Sequence, residues 1–111
     1  MNHNITVHIT ARLFAEEKCY GPGVQRLLTA VEQLHSLRSA AASMNMAYSK
    51  AWSIIRGAEQ GFGCKLLVST IGGSGGGGAT LTDEARQIMA AYDEYCRKLD
   101  EYSGALFREL F

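Results

Sequence analysis

Three consecutive apolar patterns with helical spacing, between residues 22 and 63, restrict the fold more than any other feature of the sequence. In each pattern apolar side chains return every three or four positions, which is typical of a helix with one buried face. We therefore predict three short helices that share one core. The positions expected to be buried are Val24, Leu27, Leu28, Val31 and Leu34 in the first helix, Leu37, Ala40, Ala41 and Met44 in the second, and Tyr48, Ala51, Trp52, Ile55 and Phe62 in or just after the third.

Residues with marked end preferences set the limits of these helices. Pro22 suits the start of the first helix, because the N–H that it lacks has no partner there, and Ser36 can cap the second. Asn45 tolerates the left-handed conformation of a tight turn, while Gly61 and Gly63 are expected to end the third helix. Two short helices joined by about three residues form a helix-turn-helix arrangement.

Both flanks of the helical region indicate β-structure. Residues 5–11 alternate apolar and polar side chains and are rich in β-branched residues, which predicts a strand that ends there or extends to Phe14. If the following turn closes on a second short strand around residues 19–20, the N-terminus is a hairpin. Residues 65–81 are predicted to form a second hairpin, the wing, whose tip is the glycine-rich run 72–78. The predicted fold class is therefore α+β, mostly helical: a winged helix-turn-helix with an N-terminal strand or hairpin.

The final segment, residues 82–111, carries one long apolar stripe. Thr82 can cap this helix, and Asp83 and Glu84 lie favourably in its first turn. A helix of this length would reach roughly 45 Å, whereas a compact chain of this size is about 26 Å across. The helix is therefore expected to project beyond its own core. Its apolar stripe consists of Ala85, Ile88, Met89, Tyr92, Cys96, Leu99, Tyr102, Leu106 and Leu110.

The charge of the chain is unevenly distributed. The 111 residues have no net charge, but residues 35–81 carry +3 and residues 82–111 carry −3. A basic centre on a neutral chain fits a surface that faces DNA. Three separated cysteines without a C-x-x-C pair indicate neither a zinc site nor disulfides. With no leader and no apolar run of about 20 residues, we expect a single cytoplasmic domain, 1–111, away from membranes and without metal or cofactor.

The third helix, about residues 47–60, is predicted to lie in the major groove of double-stranded DNA as the recognition helix. Its outer face carries short polar and basic side chains that can reach phosphates and base edges. The wing is predicted to lie along the DNA backbone or in the minor groove. The candidate DNA-binding residues are Ser36, Arg38, Ser39, Tyr48, Ser49, Lys50, Ser53, Arg56 and Lys65, with Gly73, Ser74, Gly75 and Gly76 in the wing.

Four segments resemble the N-terminal DNA-binding domain of the molybdate-responsive ModE regulators and, more distantly, that of LysR-type regulators. These segments are LLTAV (27–31), SLRSAA (36–41), MAYSKAW (46–52) and GGSGGGGATLT (72–82). The resemblance covers about residues 13–99 and implies a transcriptional regulator that binds operator DNA as a homodimer, joined through the last helix and the N-terminal elements. A self-complementary stripe suits such a two-fold interface. The expected interface residues are Ile88, Tyr92, Leu99, Tyr102 and Leu106.

The sequence also departs from these regulators. The molybdate-binding domains have no counterpart, so no molybdate site is expected, and a separate effector-sensing partner is left open. His35 stands where the family usually has glycine, and Ala47 replaces a serine whose cap is worth roughly 1 kcal/mol. Ser49 and Ser69 replace basic residues. Because each lost phosphate contact lowers the salt slope by about one, we expect either weaker operator binding or a different operator.

An enzyme and a protein-interaction module are the alternatives to a DNA-binding regulator. The glycine run lacks the Gly-Lys-Ser/Thr ending of a phosphate-binding loop, and His3, His8 and His35 lie apart with no acid at a suggestive spacing. We therefore expect no catalysis. A winged helix that binds another protein and never DNA stays open, because the fold supports many functions and the net charge is zero.

Overall fold

The computed structural model describes residues 4–70 and 78–111. Two antiparallel hairpins and four helices make up this part of the chain. This confirms the predicted α+β, mostly helical class and the winged helix-turn-helix fold. In chain order the elements are β1 (Leu13–Phe14), β2 (Lys18–Tyr20), α1 (Pro22–Leu34), α2 (Leu37–Ser43), α3 (Tyr48–Phe62), β3 (Leu67–Thr70), β4 (Gly78–Leu81) and α4 (Asp83–Leu110).

Hydrogen bonds and backbone angles at the helix ends confirm the predicted caps. The N–H of Ser39 donates to Ser36 Oγ at 3.0 Å at the start of α2. Asn45 has a φ of 53° in the turn before α3, and Gly63, with a φ of 72°, ends that helix. The turn between α2 and α3 is therefore as tight as a helix-turn-helix requires.

The core lies where α1, α2 and α3 meet, and it is closed by β2, by the wing and by the first turns of α4. Most of the predicted positions on the three helices are buried. Three expectations at helix ends were wrong. Leu34 and Phe62 are 45% and 39% exposed, because each is the last residue of its helix and reaches past the elements packed beside it. Gly61 continues α3 rather than ending it.

The predicted strand over residues 5–11 is also wrong, because β1 begins only at Leu13. The alternating side chains of Ile5, Val7 and Ile9 are exposed, and within residues 4–70 and 78–111 this segment has no paired strand. An extended segment gains a strand's hydrogen bonds only with a neighbour, so alternation alone does not make a strand. The short hairpin β1–β2 confirms the second strand at residues 19–20.

The wing is fixed to the helical core through its base. Leu67 pairs with Leu81 and Thr70 with Gly78 in an antiparallel register. The N–H of Ala79 donates to the carbonyl of His35 at 2.9 Å. His35 itself has a φ of 56° at the end of α1. The turn between α1 and α2 thus supports the return strand of the wing.

The long helix α4 projects beyond the rest of the chain, as predicted. The N–H of Ala85 donates to Thr82 Oγ1 at 3.0 Å, which confirms the cap. Its 28 residues correspond to about 42 Å, and the molecule measures 60 × 27 × 22 Å. Among its residues only Ala85 and Tyr92 are buried. No helix in the described ranges combines the length and the apolar character needed to cross a membrane.

Candidate nucleic-acid interface

A row of arginine and aromatic side chains lies along the edge of α3, formed by Arg38 of α2 with Tyr48, Trp52 and Arg56 of α3. The Arg38 guanidinium, which comes from α2, lies 4.2 Å from the centre of the Tyr48 ring, and the Arg56 guanidinium lies 5.5 Å from that of Trp52. The two rings meet edge to face, with centroids 6.3 Å apart. Cation–π contacts orient a guanidinium group without neutralising it, so both arginines stay charged toward an external anion.

Tyr48 and Trp52, predicted on the inner face of α3, do pack against the core but are only half-buried. The fully buried positions of the helix are Ala51, Ile55 and Ala58. The small alanines let α3 lie close to its neighbours, which leaves the large rings at the edge of the contact. Periodicity places a residue on a face but does not tell how far that face is covered.

One cavity, the wing cleft, lies between α2, the start of α3 and the base of the wing. It has a volume of about 430 Å³ and is lined by polar residues from all three elements. Ser36 Oγ accepts the N–H of Ser39, which leaves its own O–H able to donate to a phosphate oxygen. The predicted residues that this cleft brings together are Ser36, Arg38, Ser39 and Tyr48, joined by Ser69 and Gly78.

A second cavity, the hairpin groove, opens between α3, the hairpin β1–β2 and the start of α1. It has a volume of about 950 Å³ and meets the wing cleft at Tyr48 and Trp52. The predicted residues Ser49, Lys50, Ser53 and Arg56 line it. So do Arg12, Lys18 and Arg26, which sequence reasoning did not select, together with one acid, Glu17.

The fold separates neutralised from free positive charge. Lys65, Arg86, Arg97 and Lys98 each have a carboxylate partner within 4.0 Å. Among the residues that the structure describes, the exposed cations outside any ion pair are Arg12, Lys18, Arg26, Arg38, Lys50, Arg56 and Arg108. All of these except Arg108 line the two cavities beside α3. This clustering has no signal in composition, because it depends on which acids the fold brings close.

The remaining predicted DNA contacts lie elsewhere. Lys65 borders neither cavity, and its Nζ lies 3.9 Å from a carboxylate oxygen of Glu59. That carboxylate also accepts the N–H of Leu66 at 2.9 Å, so Lys65 faces a fixed negative group. The predicted wing-tip residues fall outside the described ranges. They are Gly73, Ser74, Gly75 and Gly76.

The N-terminus of α3 has no side-chain cap, in keeping with the substitution noted at Ala47. Ala47 is extended, and only its carbonyl contributes, by accepting the N–H of Ala51 at 3.1 Å. The N–H groups in the first turn of a helix otherwise lack partners and attract anions. They lie beside the Tyr48 end of the row.

The predicted dimer residues on α4 fall into two groups. Tyr102 and Leu106 are 76% and 54% exposed, and Ile88 and Leu99 are half-buried. Tyr92 instead lies in the core of its own chain, where its hydroxyl donates to the carbonyl of Ala11 at 2.8 Å. The ring of Tyr92 therefore has little surface left for a second copy.

A pair of tyrosines, one from β2 and one from α4, is buried in the core. Tyr20 and Tyr92 meet with ring centroids 5.0 Å apart, and burial raises the pKa of both hydroxyls. The positive charges of Arg12 and Arg26 lower the pKa of Tyr92 and so oppose this rise. Both arginines also line the hairpin groove.

Comparisons with known proteins point to one class. Residues 25–86 match the model of the bacterial regulatory helix-turn-helix proteins of the lysR family. The molybdenum transport protein ModE of Azotobacter vinelandii is 39% identical over 75% of this chain and 30% of its own length. The protein of that name from Herbaspirillum seropedicae is 33% identical over 68% of this chain and 28% of its own. The transcriptional regulator ModE of Haemophilus influenzae is 29% identical over 80% of this chain and 33% of its own length. The chain thus spans about a third or less of these relatives.

Proposed function

We propose that this chain, which belongs to the lysR family of bacterial regulatory helix-turn-helix proteins, is a transcriptional regulator that binds double-stranded operator DNA as a homodimer. The observation that carries the proposal is the segregation of unpaired positive charge to the two cavities beside α3. Unpaired cations on one face are the electrostatic footprint of a phosphate backbone. The three ModE relatives described above are named as a transcriptional regulator or a transport protein, and the proposal includes no catalytic activity.

In this proposal α3 lies in the major groove with its N-terminus towards a phosphate. Ser49, Lys50 and Ser53 are exposed on the outer face of the helix and supply contacts to base edges and backbone. Arg38 and Arg56 are held by the rings of Tyr48 and Trp52, so less side-chain entropy is lost when they bind phosphate. The wing, whose base borders the same face, reaches the adjacent backbone or minor groove with residues 72–78.

The dimer in this proposal forms through the exposed apolar stripe of α4. Beyond its first turns little of the helix is covered by the described elements. Its large apolar side chains are therefore more than half exposed at Tyr95, Tyr102, Leu106 and Leu110. Large exposed apolar surfaces mark interaction sites, and an isologous pairing of two such helices would cover both. The exposed Ile5, Val7 and Ile9 supply further apolar surface at the N-terminus.

The test compares two lysines that differ in place but not in charge. Lys50 is exposed on α3, whereas Lys98 lies on α4 with its Nζ 3.9 Å from Glu94. We expect Lys50→Ala to weaken binding to all duplexes and to lower the salt slope by about 0.9, while Lys98→Ala leaves both unchanged. Fluorescence anisotropy of a labelled mixed-sequence duplex over about 50 to 200 mM salt measures this. Absence of duplex binding at low salt would refute the proposal and favour a protein-binding winged helix.

A further inference from the structure

The hairpin groove holds more positive charge than recognition by α3 alone would require. Besides Lys50 and Arg56 of α3, it is lined by Arg12 before β1, Lys18 of β2 and Arg26 of α1. All five side chains are exposed, and Glu17 is the one acid in the lining. A role for this charge in contacting DNA rests on the DNA binding proposed above.

The fold leaves the positive charge on the N-terminal side of the groove unbalanced. By composition the three basic residues of 1–34 are matched by Glu16, Glu17 and Glu32. Glu32, however, pairs with Arg86 of α4, and Glu16 and Glu17 lie at the turn of the hairpin with no ion pair among the described residues. Like charges that share a surface repel each other, so an anion bound in the groove would relieve this repulsion.

Close packing holds the hairpin against α3. Gly61 of α3 faces Cys19 of β2 so closely that a Cβ on it would lie 2.4 Å from the Cys19 Cβ. The Tyr20 hydroxyl donates to Gln25, and the Gln25 amide donates to the carbonyl of Met89 at 2.9 Å. Lys18, next to Cys19, is thereby placed at the rim of the groove. The backbone under all three basic residues is tied to the core rather than to a free tail.

We propose that the hairpin β1–β2 and the start of α1 form a second DNA-backbone contact, in which Arg12, Lys18 and Arg26 bind phosphates that flank the segment read by α3. The wing borders α3 through one cavity and this hairpin borders it through the other. The major groove has a phosphate strand on each side, so two such contacts clamp a helix lying in it. The three cations replace the two positive charges that are missing at Ser49 and Ser69.

The experiment measures the salt dependence of duplex binding for three alanine variants and their combination. Counterion release predicts that Arg12→Ala, Lys18→Ala and Arg26→Ala each lower the slope of log K against log salt by about 0.9, and that the triple variant lowers it by about 2.7. Arg108→Ala, which removes one exposed charge at the far end of α4, is the matched control and should leave the slope unchanged. The triple variant should unfold at the same urea concentration as the wild type or a higher one.

Two further comparisons separate the outcomes. Arg26→Lys keeps the charge and should keep the wild-type slope, which rules out loss of folding as the cause. A triple variant with the wild-type slope, alongside a lowered slope for Lys50→Ala, overturns this second contact and leaves DNA binding by α3 in place. A wild-type chain that binds no duplex at about 50 mM salt overturns both proposals. If the groove instead binds an acidic protein, the wild-type chain should bind no duplex at this salt concentration.

Discussion

Two glycines one turn apart in α3 provide a sharp test of how the hairpin is held against the helix. Gly57 and Gly61 are both helical, so an alanine at either position gains up to about 0.5–1 kcal/mol from the lower entropy of the unfolded chain. Their surroundings differ. A Cβ at Gly57 meets no atom within 4 Å, whereas one at Gly61 would lie 2.4 Å from Cys19 Cβ and 2.6 Å from Cys19 Sγ.

The magnitude follows from that overlap. Carbon atoms pack at about 3.5–4.0 Å, so the methyl group at Gly61 penetrates by more than 1 Å into a strand that cannot rotate away. Overpacking of this kind costs typically 1–3 kcal/mol. Gly61→Ala should therefore lower the free energy of unfolding by about 1–2 kcal/mol net. Gly57→Ala should raise it by about 0.5–1 kcal/mol.

Urea unfolding followed by circular dichroism, at one fixed protomer concentration, measures both changes. With a slope of about 1–3 kcal/mol per M, the midpoints of the two variants should differ by about 0.5–3 M. Cys19→Gly removes both clashing atoms, so the double variant with Gly61→Ala should recover stability relative to the sum of the single changes. Gly61→Ala as stable as Gly57→Ala would refute the close approach of β2 to α3, and with it the placement of Lys18.

Three further outcomes test the turn, the interface and the core. His35→Gly should raise the free energy of unfolding by about 0.5–1 kcal/mol, because its φ of 56° strains any residue with a Cβ; an unchanged urea midpoint would contradict this. Leu99→Asp should lower the dimer fraction in sedimentation, while Ala90→Asp, on the opposite face of α4, should not. Burial, and to a lesser extent the nearby Tyr92 charge, raises the pKa of the Tyr20 hydroxyl. The contribution of Tyr20 to the free energy of unfolding is therefore fully present below about pH 10. It is lost above that pH, because the tyrosine of the unfolded chain ionises first. Tyr20→Phe should therefore lose less stability than the wild type between about pH 8 and 11.

Local signals predicted most of the helical scaffold, and long-range ones were needed for the rest. Ser36, Asn45 and Thr82 act through hydrogen bonds or backbone angles within a few residues, so their roles follow from the sequence. The strand over residues 5–11 was wrong because pairing needs a neighbour that no local pattern supplies. The departure at His35 was read from the sequence, but its left-handed conformation, which explains why glycine is usual there, required the structure.

The sequence predicted candidate interface residues on α3 but not on the hairpin, because only those on α3 follow from a local pattern. Lys50 and Arg56 stand out because they lie on the outer face of a helix whose other face is buried. Arg26 does not stand out, because in the sequence its positive charge is offset by the negative charge of Glu32. In the fold, however, Glu32 pairs with Arg86 instead. Long-range pairing of one acid thus converts a neutral segment into part of a basic groove.

Ion pairs away from α3 explain how a chain of zero net charge can carry a strongly basic face. On α4, Arg97 pairs with both Glu94 and Glu101, and Lys98 lies near Glu94, so these two cations are neutralised within the helix. Asp100 and Glu109 lie on the exposed second half of α4, and exposed charges further apart than a Debye length of roughly 8–10 Å at physiological salt are largely screened from each other. Acids that lie further than this from the basic face offset little of the attraction of DNA to the cavities beside α3. The number of phosphates contacted, and hence the salt slope, should therefore follow the unpaired cations beside α3 and not the net charge of the chain.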